Sequence, residues 1–269
     1  MKVTLLKRIG APLYHAAFRA QLLVRCWCSD LASRRSELGL PFPSALLRYR
    51  VSGSLSKNRF LKVGEGCAAH IENQIRLLDG DLASGRRILD FGCGCGRTLR
   101  WLIDKYPDAE FYGADVDSDA IHWCTRHITG GQFAWTSPEP PLPYPAGHFD
   151  VVYCFSVFTH LDERMQNLWL LELRRVLKPE GILLLTVHGE RVASAHLDAD
   201  ELEALRAAGL VHKTSTKLSG IVPEWYNTTW HSQRYIVTLL QSLFNDVRYT
   251  VVPDGVQDFV LAKAPLVSK

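Results

Sequence analysis

From residue 87 onward the chain alternates between two hydrophobic rhythms. Short apolar runs occupy 87–91, 110–115, 132–135, 149–154 and 181–187. Between them, apolar residues recur at three- and four-residue spacing over 97–105, 118–128 and 162–177. Short runs bounded by turn residues predict buried strands, and the wider spacing predicts amphipathic helices. Strands that alternate with helices predict an α/β fold, a parallel sheet covered on both faces. The rhythm changes after residue 188: a helix is predicted near 199–208, then an aromatic-rich loop, Pro223 to Trp230, then a helix from Ser232 to about Phe244. Two last strands, near 246–252 and 257–263, flank Pro253-Asp254-Gly255 and so predict an antiparallel hairpin.

The first 86 residues read differently. Residues 1–38 are amphipathic at helical spacing, with Pro12 suited to a helix start. The stripe Leu13, Ala17, Ala20, Val24, Trp27 or Cys28, and Leu31 leaves Arg19, Arg25, Arg34 and Arg35 mostly to its side. Such a helix can lie on an anionic membrane surface. The expectation adopted is the plainer one, that the stripe packs on the domain and the arginines face water. Pro41-Phe42-Pro43 breaks the pattern, and a helix opens at Gly64-Glu65-Gly66 and runs to about Leu78. The division expected is an N-terminal helical or lid segment, 1–64, and a main domain, 65–269, with 188–232 as a substrate-side insertion.

Composition adds limits. Apolar content of 47% and charged content of 22% suit a globular protein. No apolar stretch is long enough to predict a transmembrane helix, and arginines and histidine interrupt the first apolar run, against a secretory signal. An acid-poor, Arg-rich start also has the composition of an organellar transit peptide, but its aromatics argue for packing. The net charge is +3, yet residues 1–50 hold nine Lys or Arg against Asp30 and Glu37, so that segment carries +7 and the remainder −4. The seven cysteines form no C-x-x-C pair, so reduced thiols, a cytoplasmic location and no metal site are expected.

The candidate chemistry gathers at strand ends. Asp90 closes the first strand, and Gly92, Gly94 and Gly96 follow at alternate positions before a helix that begins near Arg97 and Thr98. A strand, a glycine turn and a helix start form a nucleotide-binding corner. The spacing is G-x-G-x-G rather than the dinucleotide fingerprint G-x-G-x-x-G, which argues against the rival reading, a nicotinamide-dependent oxidoreductase. Asp115 ends the second strand, where a carboxylate can accept both ribose hydroxyls of a nucleoside. Asp117 is better suited to capping the next helix. Phe155, Ser156 and His188 also follow strands.

Further motifs recur in order: Gly113-x-Asp115, Leu142-Pro143-Tyr144-Pro145-x-Gly147-x-Phe149-Asp150-Val151-Val152, Ser156-Val157-Phe158-Thr159-His160-Leu161 and Arg174-Arg175-Val176-Leu177-Lys178-Pro179-x-Gly181. Together with the Asp90 to Gly96 loop they resemble the class I S-adenosylmethionine-dependent methyltransferases, over about residues 65–265. The resemblance implies a doubly wound, seven-stranded, mostly parallel Rossmann-like sheet with an antiparallel last strand. It implies S-adenosylmethionine as cofactor and methyl transfer to a small-molecule or glycan-type acceptor. Asp90 and the loop of Gly92, Cys93, Gly94 and Gly96 would hold the methionine part, and Asp115 the ribose, with Val116 against the adenine; Arg97 at the helix start, or the adjacent backbone, is expected to face the methionine carboxylate. Phe155 and Ser156 would lie beside the sulfonium. Many relatives place an acid after the third strand to hold the adenine amino group; here Thr136 or Ser137 stands there.

Histidine has the pKa for a general base. His188 is the expected catalytic base, and His160 is read as shaping the site. Specificity is expected to lie in 188–232 and the N-terminal segment. Nucleic acid is not expected as a partner, because no such module is evident and Cys154-Phe155-Ser156-Val157 replaces the Asn-Pro-Pro-Tyr type motif of many amino-methylating enzymes. The other rival is a non-catalytic relative that binds a membrane or protein partner through the basic helix.

Overall fold

A computed structural model describes residues 2–31, 39–78, 80–82, 85–214, 227–253 and 255–266. The centre is a seven-stranded sheet in the order β3-β2-β1-β4-β5-β9-β8. Its parallel strands are β1 (Arg87–Phe91), β2 (Glu110–Asp115), β3 (Gly131–Trp135), β4 (Phe149–Cys154) and β5 (Leu177–Val187). The last two, β8 (Asn245–Thr250) and β9 (Asp258–Lys263), are the expected hairpin, and β9 pairs antiparallel with β5.

Side-chain alternation explains why the strands read as unbroken apolar runs. In β5, Leu183, Leu185 and Val187 face one core, while Ile182 and Leu184 face the other. One core is closed by α6 (Glu163–Val176) and α9 (Gln233–Gln241) through Trp169, Leu170, Leu173, Ile236 and Leu240. The opposite core is closed by α3 (Lys57–Arg76) and α4 (Leu99–Lys105) through Ile71, Ile75, Leu99 and Leu102. Both faces are dry, so both sets of positions must be apolar. The chain winds outward from β1 to β2 and β3, then crosses to β4 on the other side. That reversal opens a crevice at the carboxyl ends of β1 and β4, where such sheets bind ligands.

Several elements differ from expectation. Ser56 caps α3, so this helix starts seven residues before Gly64, and residues 64 and 65 fall inside it. Gly64 sits where α3 presses on the start of α4: a Cβ there would overlap the Arg97 carbonyl oxygen. The glycines that look like a helix opening in sequence serve a close helix approach. Part of the region after residue 188 forms a small second sheet, β6 (Leu210–Lys213) antiparallel to β7 (Thr228–His231), beside two helices, α7 (Glu190–Ser194) and α8 (Ala199–Ala208). Pro223 to Tyr226 of the expected aromatic loop lie outside the described residues.

At the N-terminus, α1 (Lys2–Leu31) runs through Pro12 instead of starting there. It packs on α2 (Ala45–Ser52) through Phe18, Leu22 and Cys26, which meet Ala45, Leu46 and Tyr49. The Asp30 carboxylate accepts the Ala45 backbone N–H at 2.7 Å, and the buried Arg48 donates to Ser29 at 2.9 Å. The packed residues are not the stripe read from sequence. From Ala17 onward that stripe faces outward: Val24 is 61% exposed, Trp27 66% and Leu31 70%, and Ala17, Ala20 and Cys28 are exposed as well. The expectation that it packs on the domain is therefore corrected. Helical spacing located the apolar face, but α1 has a second, narrower one, and that one docks.

Candidate active site

The crevice holds a cavity of about 290 Å³. Five segments wall it: the turn after β1 (Gly92, Cys93, Gly94, Arg97, Thr98), the end of β2 (Asp115, Val116, Asp117), the stretch after β3 (Thr136 to Glu139), the stretch after β4 (Phe155, Ser156, Val157, His160, Leu161), and Arg50 and Val51 of α2. Met165 and Trp169 of α6 close its apolar end.

The glycine turn is shaped by its backbone. Gly92 has φ +81° and Gly94 φ +51°, conformations that an L side chain resists. A Cβ on Gly92 would overlap the Val157 side chain, and one on Gly94 the Val51 side chain. The turn's own N–H groups are used internally. Gly92 N–H donates to the Ala114 carbonyl at 2.7 Å, Gly94 N–H to the Asp115 carboxylate at 2.6 Å, and Gly96 N–H to the Cys93 carbonyl at 3.0 Å. The turn thus offers closeness of approach more than donors. Gly96 does not line the cavity; it packs beneath the turn, where a Cβ would overlap Ile128.

Two carboxyl groups, the buried Asp90 and the half-buried Asp115, dominate the electrostatics. Asp90 is 3% exposed, and burial raises its pKa to about 8, against the opposing effect of the neighbouring Tyr153 hydroxyl. Burial also raises Asp115 to about 6, opposed by the N–H groups of Asp117 (2.7 Å) and Gly94 that its oxygens accept. Both groups are held ready for a partner that donates hydrogen bonds or carries positive charge. Asp117 caps α5 (Ser118–His127), as its position suggests, and also accepts Arg50 at 2.9 Å.

Arg97 lines the cavity, but its guanidinium donates to the Val51 carbonyl at 2.5 Å, at the carboxyl end of α2. A cation at that helix end is favourable. A positive residue just before α4 therefore needs no anionic ligand to explain it. Cys93 lines the wall with a buried thiol whose pKa is pushed up by its hydrogen bond with Cys124 and by burial.

Ser156 has φ +60°, which costs a non-glycine residue on the order of 1–3 kcal/mol. Its surroundings hold it there: its N–H donates to Thr186 Oγ1 at 2.8 Å, Thr159 Oγ1 donates to its carbonyl at 2.9 Å, and Gln257 Nε2 donates to its Oγ at 2.7 Å. Gln257 precedes β9 and is remote in sequence, so only the antiparallel hairpin brings it here.

The histidines separate. His160 lines the cavity; its Nδ1 contacts the Asn227 carbonyl at 2.5 Å, and burial lowers its pKa. A carbonyl only accepts, so Nδ1 carries the proton, and in the neutral ring Nε2 holds the lone pair. His188 is not on the cavity wall. It contacts the Thr229 carbonyl through Nδ1 at 3.2 Å, and burial, then His160, lower its pKa to about 4. Both follow a strand of the sheet, and sequence alone does not say which faces the crevice.

Thus Asp90, Gly92, Cys93, Gly94, Arg97, Asp115, Val116, Ser137, Phe155 and Ser156 are brought to one cavity, and Gly96 and His188 are not. His160, expected to shape the site, lines the cavity, while Arg50, Val51, Met165 and Trp169 were missed as site residues. Nothing local in the sequence marks them, save that Met165 and Trp169 share a helix face four residues apart.

Comparison with known proteins bears on the kind of site this is. The family model for a methyltransferase domain matches residues 88–181. A fatty-acid O-methyltransferase of Mycolicibacterium smegmatis is 36% identical over 104 residues, 38% of this chain and 37% of that protein. Phosphoethanolamine N-methyltransferase 3 of Arabidopsis thaliana is 25% identical over 184 residues, 67% of this chain and 36% of that one. Residues 88–181 therefore carry a methyltransferase domain. Its matches span less than half the length of these curated relatives. The fold is like that of solved methyltransferase structures. An S-adenosylmethionine-dependent methyltransferase from Mesorhizobium loti superposes with a TM-score of 0.53 at 15% identity, over 70% of this chain and 95% of that one. Magnesium protoporphyrin IX methyltransferase of Synechocystis, solved with bound SAH, superposes with a TM-score of 0.52 at 17% identity, over 81% of this chain and 93% of that one. In this methyltransferase domain the family match ends six residues short of the end of β5. His188, β7 and the Gln257 contact lie beyond it.

Proposed function

We propose that this chain transfers the methyl group of S-adenosylmethionine to a small-molecule acceptor. The observation that carries the reading is the pairing, in one cavity, of a glycine turn that admits close approach with the half-buried Asp115 carboxylate at the end of the next strand. The residues fit the cofactor group by group. Asp115 suits the ribose hydroxyls. Asp90, raised by burial, suits the methionine ammonium, which would stabilise its ionised form. Val116 suits one face of the adenine, with Thr136 and Ser137 near its edge.

Bound there, the cofactor supplies an activated methyl group. The chain's work is to orient acceptor and donor and to exclude water. Phe155, Val157, Leu161, Met165 and Trp169 make the wall apolar. His160, with its lone pair at Nε2, is the residue on that wall able to take a proton from a hydroxyl or protonated amine acceptor. This moves the proposed base from His188 to His160. The fatty-acid and phosphoethanolamine relatives support a metabolite-sized acceptor over a glycan. The test is incubation of the full chain with methyl-labelled S-adenosylmethionine and a panel of carboxylic acids, alkylamines and phenols. Label in an extracted small product is expected; label in none, alongside confirmed cofactor binding, would remove the acceptor class.

A further inference from the structure

Two observations on α1 belong together. The first is a continuous exposed apolar face. At about 100° per residue, Ala16, Ala17, Ala20, Leu23, Val24, Trp27 and Leu31 fall within an arc of about 120°, and all are exposed. In sequence the same spacing continues back through Leu13, Ile9, Leu6 and Leu5. Phe18, Leu22 and Cys26, on the other side, already dock α2. Apolar faces of this extent on a helix mark an interaction surface.

The second observation is charge. Over Lys2–Leu31 the helix holds Lys2, Lys7, Arg8, Arg19 and Arg25 against one acid, Asp30. Asp30 is turned inward to the Ala45 N–H and to Arg48. By the same helical spacing Arg19 falls beyond one edge of the apolar arc and Arg25 beyond the other. An apolar face flanked by cations complements an anionic bilayer, whose phosphates meet the cations while the apolar side chains enter the acyl boundary. A second copy of this helix would bring like charges together, which opposes the alternative of self-association.

We propose that α1 lies in the plane of an anionic membrane surface and seats the chain there through its outward apolar face. Leu23, Val24, Trp27 and Leu31 supply the buried contact. This goes beyond the methyl-transfer reading and does not depend on it, because the test reads partition and not turnover.

The test is co-sedimentation of the full chain with vesicles of phosphatidylcholine alone and of phosphatidylcholine mixed with phosphatidylglycerol. The wild type is expected to pellet with the anionic vesicles, less so as salt rises, and to stay in solution with the neutral ones. The double variant V24E, W27E should partition at least about tenfold more weakly. The milder Leu23→Ser is expected to weaken it by a smaller factor, and an unchanged circular dichroism spectrum and melting temperature of both would show intact folding. Equal partition of wild type and double variant would overturn the proposal, as would a wild type that remains in solution with both vesicles. A dimer in light scattering that the double variant abolishes, with no vesicle binding, would overturn it in favour of a second copy.

Discussion

The Asp115 carboxylate supports a prediction that can be worked through in numbers. It is half-buried, and its oxygens already accept the Gly94 N–H at 2.6 Å and the Asp117 N–H at 2.7 Å. A ribose diol would add charge-assisted hydrogen bonds, each worth up to about 1.5–3 kcal/mol net of the exchange with water. Because the same oxygens serve the backbone, the net loss expected for Asp115→Ala is about 1–3 kcal/mol, or about 5- to 150-fold in Kd. The pH dependence has a definite sign. Burial raises the folded-state pKa to about 6, and hydrogen bonds from the diol favour the ionised form. Binding therefore draws on the carboxylate, is strongest above pH 6, and weakens about tenfold per unit as pH falls below it. Asp90, near 8, adds its own loss of up to about tenfold per unit below pH 8, so the Asp115 contribution appears as a steepening below pH 6. The contribution of Asp115 is isolated as the difference between the wild type and Asp115→Asn, which cannot titrate. The assay is calorimetric titration with S-adenosylhomocysteine from pH 5 to 8, with melting curves to confirm folding. An Asp115→Ala affinity equal to the wild type would refute the ribose assignment, and so would a wild-type affinity that rises as pH falls.

Other consequences follow from the same geometry. Gly92→Ala should lose most cofactor binding, since φ +81° and the overlap with Val157 both oppose a Cβ; a cost of about 1–3 kcal/mol in melting free energy is expected. Retained affinity and stability would mean that the turn is not shaped as described. His160→Gln should lower kcat by about 100-fold or more with little change in cofactor affinity, whereas His188→Gln should act mainly on stability; the reverse pattern in steady-state kinetics would return the base to His188. Arg50→Ala removes the ion pair to Asp117, whose side chains are 19% and 13% exposed. With partial solvent screening it should weaken cofactor binding by about 0.5–1 kcal/mol and speed dissociation. An unchanged off-rate in stopped flow would show that α2 does not retain the cofactor.

The doubly wound sheet was legible because its strands are buried on both faces. Residues such as Ile182 to Val187 form runs that a solvated strand would not contain. The glycine turn and Asp115 were legible because a tight approach leaves only glycine free to adopt those φ values, and because position after a strand fixes where a short side chain sits. The choice between His160 and His188 was not legible. Both follow strands of the sheet, and the difference is set by β7, which lies after 188–226 and engages both through its backbone region. Arg50, Val51 and Gln257 were hidden for a related reason: the first two reach the cavity, and Gln257 reaches Ser156, from elements remote in sequence. The α1 stripe shows the limit of periodicity, which identifies an apolar face but not what meets it. Phe18, Leu22 and Cys26 were the weaker pattern, and they form the packed side.

The central claim is that the cavity between the glycine turn and Asp115 holds S-adenosylmethionine. Its most direct test is titration of the purified full chain with S-adenosylhomocysteine and, separately, with NAD. The expected result is saturable one-to-one binding of S-adenosylhomocysteine, abolished by Gly92→Ala, and no binding of NAD. Tight binding of NAD with no heat from S-adenosylhomocysteine would contradict it.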